Sequence, residues 1–170
     1  MAERFRGTWL HTVDQKGRVS VPAGFRRVLE EGDPGWYDRR PAPPHMVMVV
    51  RMRGEDCIAC YTVGAMEELE EQILAVEDYF DREKLLNEVT AKAQKLQLDD
   101  NGRIVLGPPV RQAIGIGDKA LFVGKLEKFE IWEPDAYAAL QARIDAEQRT
   151  RPPDQDPFRH LVRRRGQAGP

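Results

Sequence analysis

Two stretches of this chain repeat one pattern of apolar and polar positions. The first, residues 13–22, has apolar positions on both sides of the polar loop Asp-Gln-Lys-Gly-Arg; residues 8–13 before it alternate apolar and polar. The second, residues 98–106, has Asp-Asp-Asn-Gly-Arg between apolar positions. Such patterns predict half-buried strands, and the loop glycine permits the positive φ that a tight reversal needs. We therefore predict strand, tight loop and strand twice, with each loop aspartate bonding its own loop's backbone.

The two stretches belong to a longer internal repeat with an offset of 85 residues. A short helix follows each second strand, because Phe25, Val28 and Leu29 form one apolar face. Two further strands, 46–51 and 57–61, correspond to 120–124 and 128–132. The matched pairs at the fixed offset are Asp14 with Asp99, Gly17 with Gly102, Arg18 with Arg103, Val19 with Ile104, Phe25 with Val110, Arg26 with Arg111 and Leu29 with Ile114.

The middle of the chain has helical periodicity. Apolar residues recur at spacings of 3 and 4 from Met66 to Phe80, which predicts one long amphipathic helix with an acidic opposite face. A connecting helix is predicted over 81–95. The apolar stripe is compatible with core packing or with a subunit interface. Residues 31–46 contain four prolines and two glycines, which favours a loop without regular structure.

Charge is balanced in total but not along the chain. The 26 basic and 28 acidic residues give a net charge of −2, whereas residues 1–27 carry six Lys or Arg against two acids. Residues 67–88 carry nine acids. Such an uneven charge distribution creates an electric field that steers an anionic partner to the basic end of the protein. The acidic helix should then lie away from the bound partner. The tail, 145–170, is expected to be disordered, and its Arg163–Arg165 run either attracts phosphate or has no role.

The sequence contains no set of residues typical of an enzyme or a metal site. Its three histidines, at 11, 45 and 160, fall in a strand, a proline-rich loop and the tail. Cys57 and Cys60 lie three apart on a predicted strand, so they should point to opposite faces. We predict no catalytic residue, no metal, no required disulfide and no cofactor. No apolar run approaches the roughly 18 residues of a membrane span, and no signal peptide is evident, so a cytoplasmic protein without a membrane partner is expected.

The repeated motifs resemble those of the bacterial MraZ family. Phe5-Arg6-Gly7, Asp14-x-Lys16-Gly17-Arg18, Val21-Pro22 and Phe25-Arg26 are similar to the start of that family. Asp99-x-Asn101-Gly102-Arg103 and Phe129-Glu130-Ile131-Trp132 are similar to its second repeat. The resemblance covers residues 4–144.

The resemblance implies an α+β, β-rich fold. Two tandem AbrB-like swapped-hairpin units would form one intramolecular pseudo-dimeric barrel with flanking helices. The first repeat, with the long helix, would span 4–80, the connecting helix 81–95, and the second repeat 96–144. The Arg-rich tail, 145–170, would follow.

The resemblance also implies a sequence-specific DNA-binding transcriptional regulator, nucleoid-associated, that represses the cell-division and cell-wall gene cluster including its own promoter. It would bind direct repeats in double-stranded DNA as a ring-shaped homo-oligomer. The alternative is a protein-interaction or assembly module on the same fold. A steep loss of DNA affinity with salt would distinguish the two.

The DNA-contacting motif of the family falls on Arg6, Lys16 and Arg18, with Arg103 as the second-repeat equivalent. Arg26 is carried over from AbrB-like proteins. Arg6 and Arg26 lie close in sequence to the first loop, and the second loop has asparagine where the first has Lys16. We therefore predict that the first loop carries most of the recognition.

Overall fold

The computed structural model describes residues 3–161, which fall into two compact units, one ending at Ala136 and one beginning at Tyr137. The strands are β1 (Thr8–Thr12), β2 (Arg18–Ser20), β3 (His45–Val50), β4 (Ile58–Tyr61), β5 (Ala93–Gln97), β6 (Arg103–Val105), β7 (Lys119–Gly124) and β8 (Phe129–Trp132). The helices are α1 (Ala23–Glu31), α2 (Trp36–Arg39), α3 (Val63–Leu74), α4 (Tyr79–Glu88), α5 (Pro108–Ile114) and α6 (Pro134–Arg149). Short 3-10 turns follow β3, α4 and α6.

Six strands form one antiparallel sheet in the order β1-β7-β8-β4-β3-β5, and β2 pairs with β6 in a separate two-stranded ribbon. The first strand of each repeat pairs with the other repeat, β1 with β7 and β5 with β3. The equivalent strands of the two repeats are β1 and β5, β3 and β7, and β4 and β8. They occupy matching positions when the sheet is followed from its two opposite edges, so the two repeats contribute to it symmetrically. The chain is therefore α+β with two interlocked repeats. The predicted closed barrel is wrong, because β1 and β5 are the two edges of an open sheet.

Two hydrophobic clusters cover the two faces of this sheet. One packs the sheet against the ribbon and helices α1 and α5, and it includes Val19, Phe25, Ile104 and Phe122. The other packs Val47, Val49, Ala59 and Tyr61 against α3 and the end of α4. Strand β3 supplies both clusters, because its alternate side chains point to opposite faces. The first cluster supports the ribbon and the two loops that lead into it.

The single long helix predicted to run to residue 80 is wrong. Helix α3 ends at Leu74, and the side chain of Asp78 begins α4 by accepting a hydrogen bond from the backbone N–H of Asp81 at 2.8 Å. Met66 and Ile73 are buried as the stripe predicts, but Phe80 is 79% exposed. Asp78 interrupts the helix although the apolar spacing continues past it, because its side chain caps the free N–H groups in the first turn of a new helix.

The predicted connecting helix over 81–95 also ends early, at Glu88, and residues 93–97 form strand β5 along the edge of β3. The loop 31–46 contains the single helical turn α2. It is organised by the buried carboxylate of Asp33, which accepts hydrogen bonds from the backbone N–H of His45 at 2.9 Å and from the Arg39 guanidinium.

The region predicted to be a disordered tail begins inside α6, which runs to Arg149, and 3-10 turns follow at 153–155 and 157–161. The Arg163–Arg165 run lies outside the described residues. Within residues 3–161, no helix is both long and apolar enough to cross a membrane.

Candidate nucleic-acid interface

The two repeated loops have the same backbone structure. We call residues 14–18 loop 1 and residues 99–103 loop 2. In loop 1, Oδ1 of Asp14 accepts hydrogen bonds from the backbone N–H groups of Lys16 and Arg18, both at 2.9 Å. In loop 2, Oδ1 of Asp99 accepts the equivalent two bonds, also at 2.9 Å. Each aspartate therefore holds its own loop closed, as the sequence predicts.

The second carboxylate oxygen of each aspartate holds the loop arginine. Nε of Arg18 lies 2.6 Å from Oδ2 of Asp14, and Nε of Arg103 lies 2.9 Å from Oδ2 of Asp99. Within residues 3–161, the terminal nitrogens of both guanidinium groups make no hydrogen bond, so they are available to a ligand. The hydrogen bonds from the backbone N–H and then the side chain of Arg18 lower the pKa of Asp14. The same donors of Arg103 lower the pKa of Asp99, so both carboxylates are ionised at neutral pH.

The ribbon places both arginines on one outward face. Val19 and Ile104 are paired across the ribbon and buried, so the residues on either side of them point away from the core. Arg18 is paired with Val105, and Arg103 is paired with Ser20. The two arginines are therefore diagonal neighbours on the same face, about 7–8 Å apart at Cα.

Each ribbon strand carries the chain from one loop to the other. Val21 N–H donates to the Gly102 carbonyl at 2.9 Å, and Leu106 N–H donates to the Gly17 carbonyl at 2.7 Å. Helix α1 consequently begins beside loop 2, and α5 begins beside loop 1.

This crossing places Arg26 differently from the sequence expectation. The Arg26 guanidinium lies against Gly102 of loop 2, not beside loop 1. The arginine beside loop 1 is Arg111, whose Nε donates to the Leu106 carbonyl at 2.9 Å. Sequence reasoning did not select Arg111 as a site residue, although the repeat match with Arg26 marked it.

Arg6 is separated from loop 1 by the length of β1. The Gly7 carbonyl accepts from Gly124 N–H at 2.8 Å at one end of the strand, and Val13 N–H donates to Asp118 at 2.8 Å at the other. The six steps along the extended chain from Gly7 to Val13 span about 20 Å. Arg6 therefore lies beside the connection between β7 and β8, away from Lys16 and Arg18.

The supports of the two loops differ. In the first repeat, Trp9 of β1 packs on Phe25 with ring centroids 5.0 Å apart, and His11 packs on Phe122 at 5.3 Å. Nδ1 of His11 also bonds the Ser20 carbonyl at the end of β2. At the equivalent positions of the second repeat stand Gln94 and Leu96, which line a cavity of about 590 Å³ together with Asp99 and Arg103. The first repeat thus has aromatic packing along β1 that the second repeat lacks at these positions.

The cysteines lie apart from both loops. Cys57 and Cys60 are buried and free, and burial raises the pKa of Cys57 to about 12. The carboxylates of Glu55 and Glu130 lie within 4.8 Å of the Cys57 sulfur, a proximity that the sequence did not indicate. Glu130 already accepts a hydrogen bond from Trp132 Nε1 at 3.1 Å. The absence of a metal stays a prediction.

Comparisons with known proteins point to one family. A family model described as "MraZ protein, putative antitoxin-like" matches residues 89–158. A protein named "Transcriptional regulator MraZ" from Ruegeria sp. (strain TM1040) is 36% identical over 163 residues, which is 95% of this chain and 96% of the relative. A protein of the same name from Cereibacter sphaeroides (strain ATCC 17025 / ATH 2.4.3) is 41% identical over 148 residues, 82% of this chain and 85% of the relative. One from Yersinia enterocolitica is 29% identical over 151 residues, 88% of this chain and 93% of the relative.

Proposed function

Because this chain belongs to the MraZ family of transcriptional regulators, which is not an enzyme family, we propose that it binds double-stranded DNA sequence-specifically through loops 1 and 2. The observation that carries the proposal is the outward ribbon face with its two aspartate-anchored arginines. A two-stranded ribbon fits the major groove, and an arginine can grip guanine with two parallel hydrogen bonds. Anchoring at Nε fixes the guanidinium before binding, which reduces the ordering cost of the complex.

Loop 1 carries most of the recognition. Its Lys16 is exposed and can clamp a phosphate, whereas loop 2 has Asn101 at that position and Asp100 in place of Gln15. The bond between His11 of β1 and Ser20 of β2 ties together the strands that enter and leave loop 1. Arg103, with Arg26 beside it, supplies a weaker second contact from loop 2. Arg6 contributes from the far end of β1, to a different part of the DNA.

The wider role follows from the family resemblance. The protein represses the cell-division and cell-wall gene cluster, including its own promoter, and acts at direct repeats in the nucleoid. The interlocked pairing of β1 with β7 and β5 with β3 supports the AbrB-like swapped-hairpin arrangement within one chain.

Self-assembly into a ring is supported by the connection between α3 and α4. Leu74, Tyr79 and Phe80 are 69%, 58% and 79% exposed there, and a cluster of large apolar side chains on a surface marks an interaction site. The same patch is the one observation that favours the alternative function, a protein-interaction module.

A gel shift on DNA from upstream of its own coding sequence tests the function. We expect the wild-type protein to bind this duplex in preference to a scrambled duplex of equal length, with affinity falling steeply as salt rises. Arg18→Ala should abolish detectable binding. A lost bidentate base contact costs about 1–3 kcal/mol, and several linked subunits multiply the loss. Arg103→Ala should weaken binding less.

Circular dichroism of both variants controls for folding. Equal binding of the specific and scrambled duplexes would reject sequence-specific recognition. A failing Arg103 variant beside a normal Arg18 variant would assign recognition to loop 2 instead.

A further inference from the structure

Three arginines around the ribbon are held in the same manner. Nε of Arg18 and Nε of Arg103 are bonded to loop aspartates, and Nε of Arg111 donates to the Leu106 carbonyl at 2.9 Å. Within the part of the chain that the structure describes, the terminal nitrogens of Arg111 also make no hydrogen bond. A guanidinium held at Nε presents its two terminal nitrogens as a fixed fork, which matches the oxygens of a phosphate.

The Arg111 fork lies at loop 1, although Arg111 belongs to the other repeat. Gly17 has a φ of 80°, and a side chain there would collide with the Leu106 carbonyl and would come within 3.4 Å of Arg111 Nε. The bond from Leu106 N–H to the Gly17 carbonyl, at 2.7 Å, fixes this contact. Arg111 therefore has a set position beside the tip of loop 1.

The charges around the two loops then differ. Loop 1 gathers three cations around one carboxylate, and loop 2 gathers two cations around two carboxylates. The first set is Lys16, Arg18 and Arg111 with Asp14, and the second is Arg26 and Arg103 with Asp99 and Asp100. The excess positive charge at loop 1 suits a phosphodiester anion.

We propose that each loop's phosphate site is completed by an arginine from the opposite repeat. Arg111 joins Lys16 at loop 1, and Arg26 joins Arg103 at loop 2. The inference rests on the proposed DNA-binding function and adds to it a residue and a pairing that follow only from the crossing of the ribbon strands.

The test is a pair of double-mutant cycles measured by fluorescence anisotropy on the upstream duplex. The loop 1 probe is Lys16→Gln, which leaves Arg18 in place so that binding stays measurable. It is combined with Arg111→Gln in one cycle and with Arg26→Gln in the other. Glutamine keeps an amide donor for the Leu106 carbonyl while removing the charge. Thermal melts of every variant, compared with the wild type, separate loss of stability from loss of contact.

We expect the Lys16 and Arg111 losses to be coupled, with the double variant departing from the product of the single losses by at least about twofold. The Lys16 and Arg26 losses should multiply. Each single variant should also reduce the slope of log affinity against log salt by about 0.9, the value for one phosphate contact on duplex DNA.

Phosphate-ethylation interference gives the positional readout. Lys16→Gln and Arg111→Gln should remove interference at the same phosphate or at an adjacent one, and Arg26→Gln should affect a different phosphate. Coupling of Lys16 with Arg26 in place of Arg111, or an Arg111→Gln variant with unchanged affinity and salt slope, would overturn the inference. A wild-type protein without preference for the upstream duplex would instead reject the proposed function.

Discussion

The two loop glycines form a matched pair for testing the loop structure. Gly17 has a φ of 80° and Gly102 a φ of 73°, so alanine at either position adopts the same left-handed conformation. The surroundings differ. A Cβ at Gly17 meets the backbone carbonyl of Leu106, whereas a Cβ at Gly102 meets the end of the Arg26 side chain. A side chain can change rotamer, but a carbonyl moves only with its strand.

The expected magnitudes follow from these contacts. Left-handed backbone costs about 1–2 kcal/mol for a residue with a Cβ, and this cost is common to both variants. Displacing Leu106 also stretches its bonds with the Gly17 carbonyl and with Arg111 Nε, at 2.7 and 2.9 Å. Each such bond contributes about 0.5–1.5 kcal/mol. Gly17→Ala should therefore destabilise the protein by about 2–5 kcal/mol, and Gly102→Ala by about 1–2 kcal/mol.

Thermal unfolding followed by circular dichroism measures the difference, with both variants at one protein concentration. For a chain of this size, 1 kcal/mol corresponds to about 2–4 °C in Tm. Gly17→Ala should lower Tm by at least about 2 °C more than Gly102→Ala, because the two extra bonds add at least about 1 kcal/mol. Equal losses, or a larger loss for Gly102→Ala, would refute the close approach of Leu106 to loop 1.

Three further outcomes are expected. Phe80→Ser should shift the mass measured by light scattering toward smaller species, because it removes an exposed aromatic ring from the patch proposed for assembly. The pKa values of Asp14 and Asp99 are lowered from 3.8, so their contribution to stability is present above about pH 3.8 and lost as pH falls through the folded pKa values. Tm should fall in that acid range, and less so in a variant with asparagine at both positions. Cys57, a buried thiol with a pKa near 12, should react with a thiol reagent only after denaturation.

Each of these outcomes has a contrary result. An unchanged mass for the Phe80 variant would remove the patch from the assembly interface. If Tm falls equally at acid pH in the double asparagine variant and in the wild type, the pH dependence belongs to other carboxylates. Rapid labelling of the native protein would show that the strand around Cys57 opens readily.

Local rules were sufficient for much of this protein. The repeat, the two glycine loops, the aspartates that close them and the strand, loop, strand order could all be read from the sequence. Each depends on residues that lie within a few positions of one another, such as Asp14 with Arg18, where periodicity and turn chemistry act directly.

The errors concern residues whose structure depends on a distant partner. The apolar positions in residues 93–97 fit a helix. These residues instead form a strand, because they pair with the edge of β3, which lies more than 40 residues earlier in the chain. The predicted barrel failed for a related reason. Which strands pair, and whether the last two meet, is decided by contacts between repeats and not by the pattern of either one.

The sequence by itself determined that two loops, each closed by an aspartate bonded to its own backbone, carry an arginine at the same position. Only the tertiary structure decided which other cations stand beside them. Because β2 and β6 run antiparallel, each strand leaves one loop and ends at the other, so Arg26 reaches loop 2 and Arg111 reaches loop 1. Because β1 is extended, Arg6 is carried away from loop 1 despite its closeness in sequence. Residues close in sequence are therefore close in space within each tight loop, but not along the extended strands that leave it.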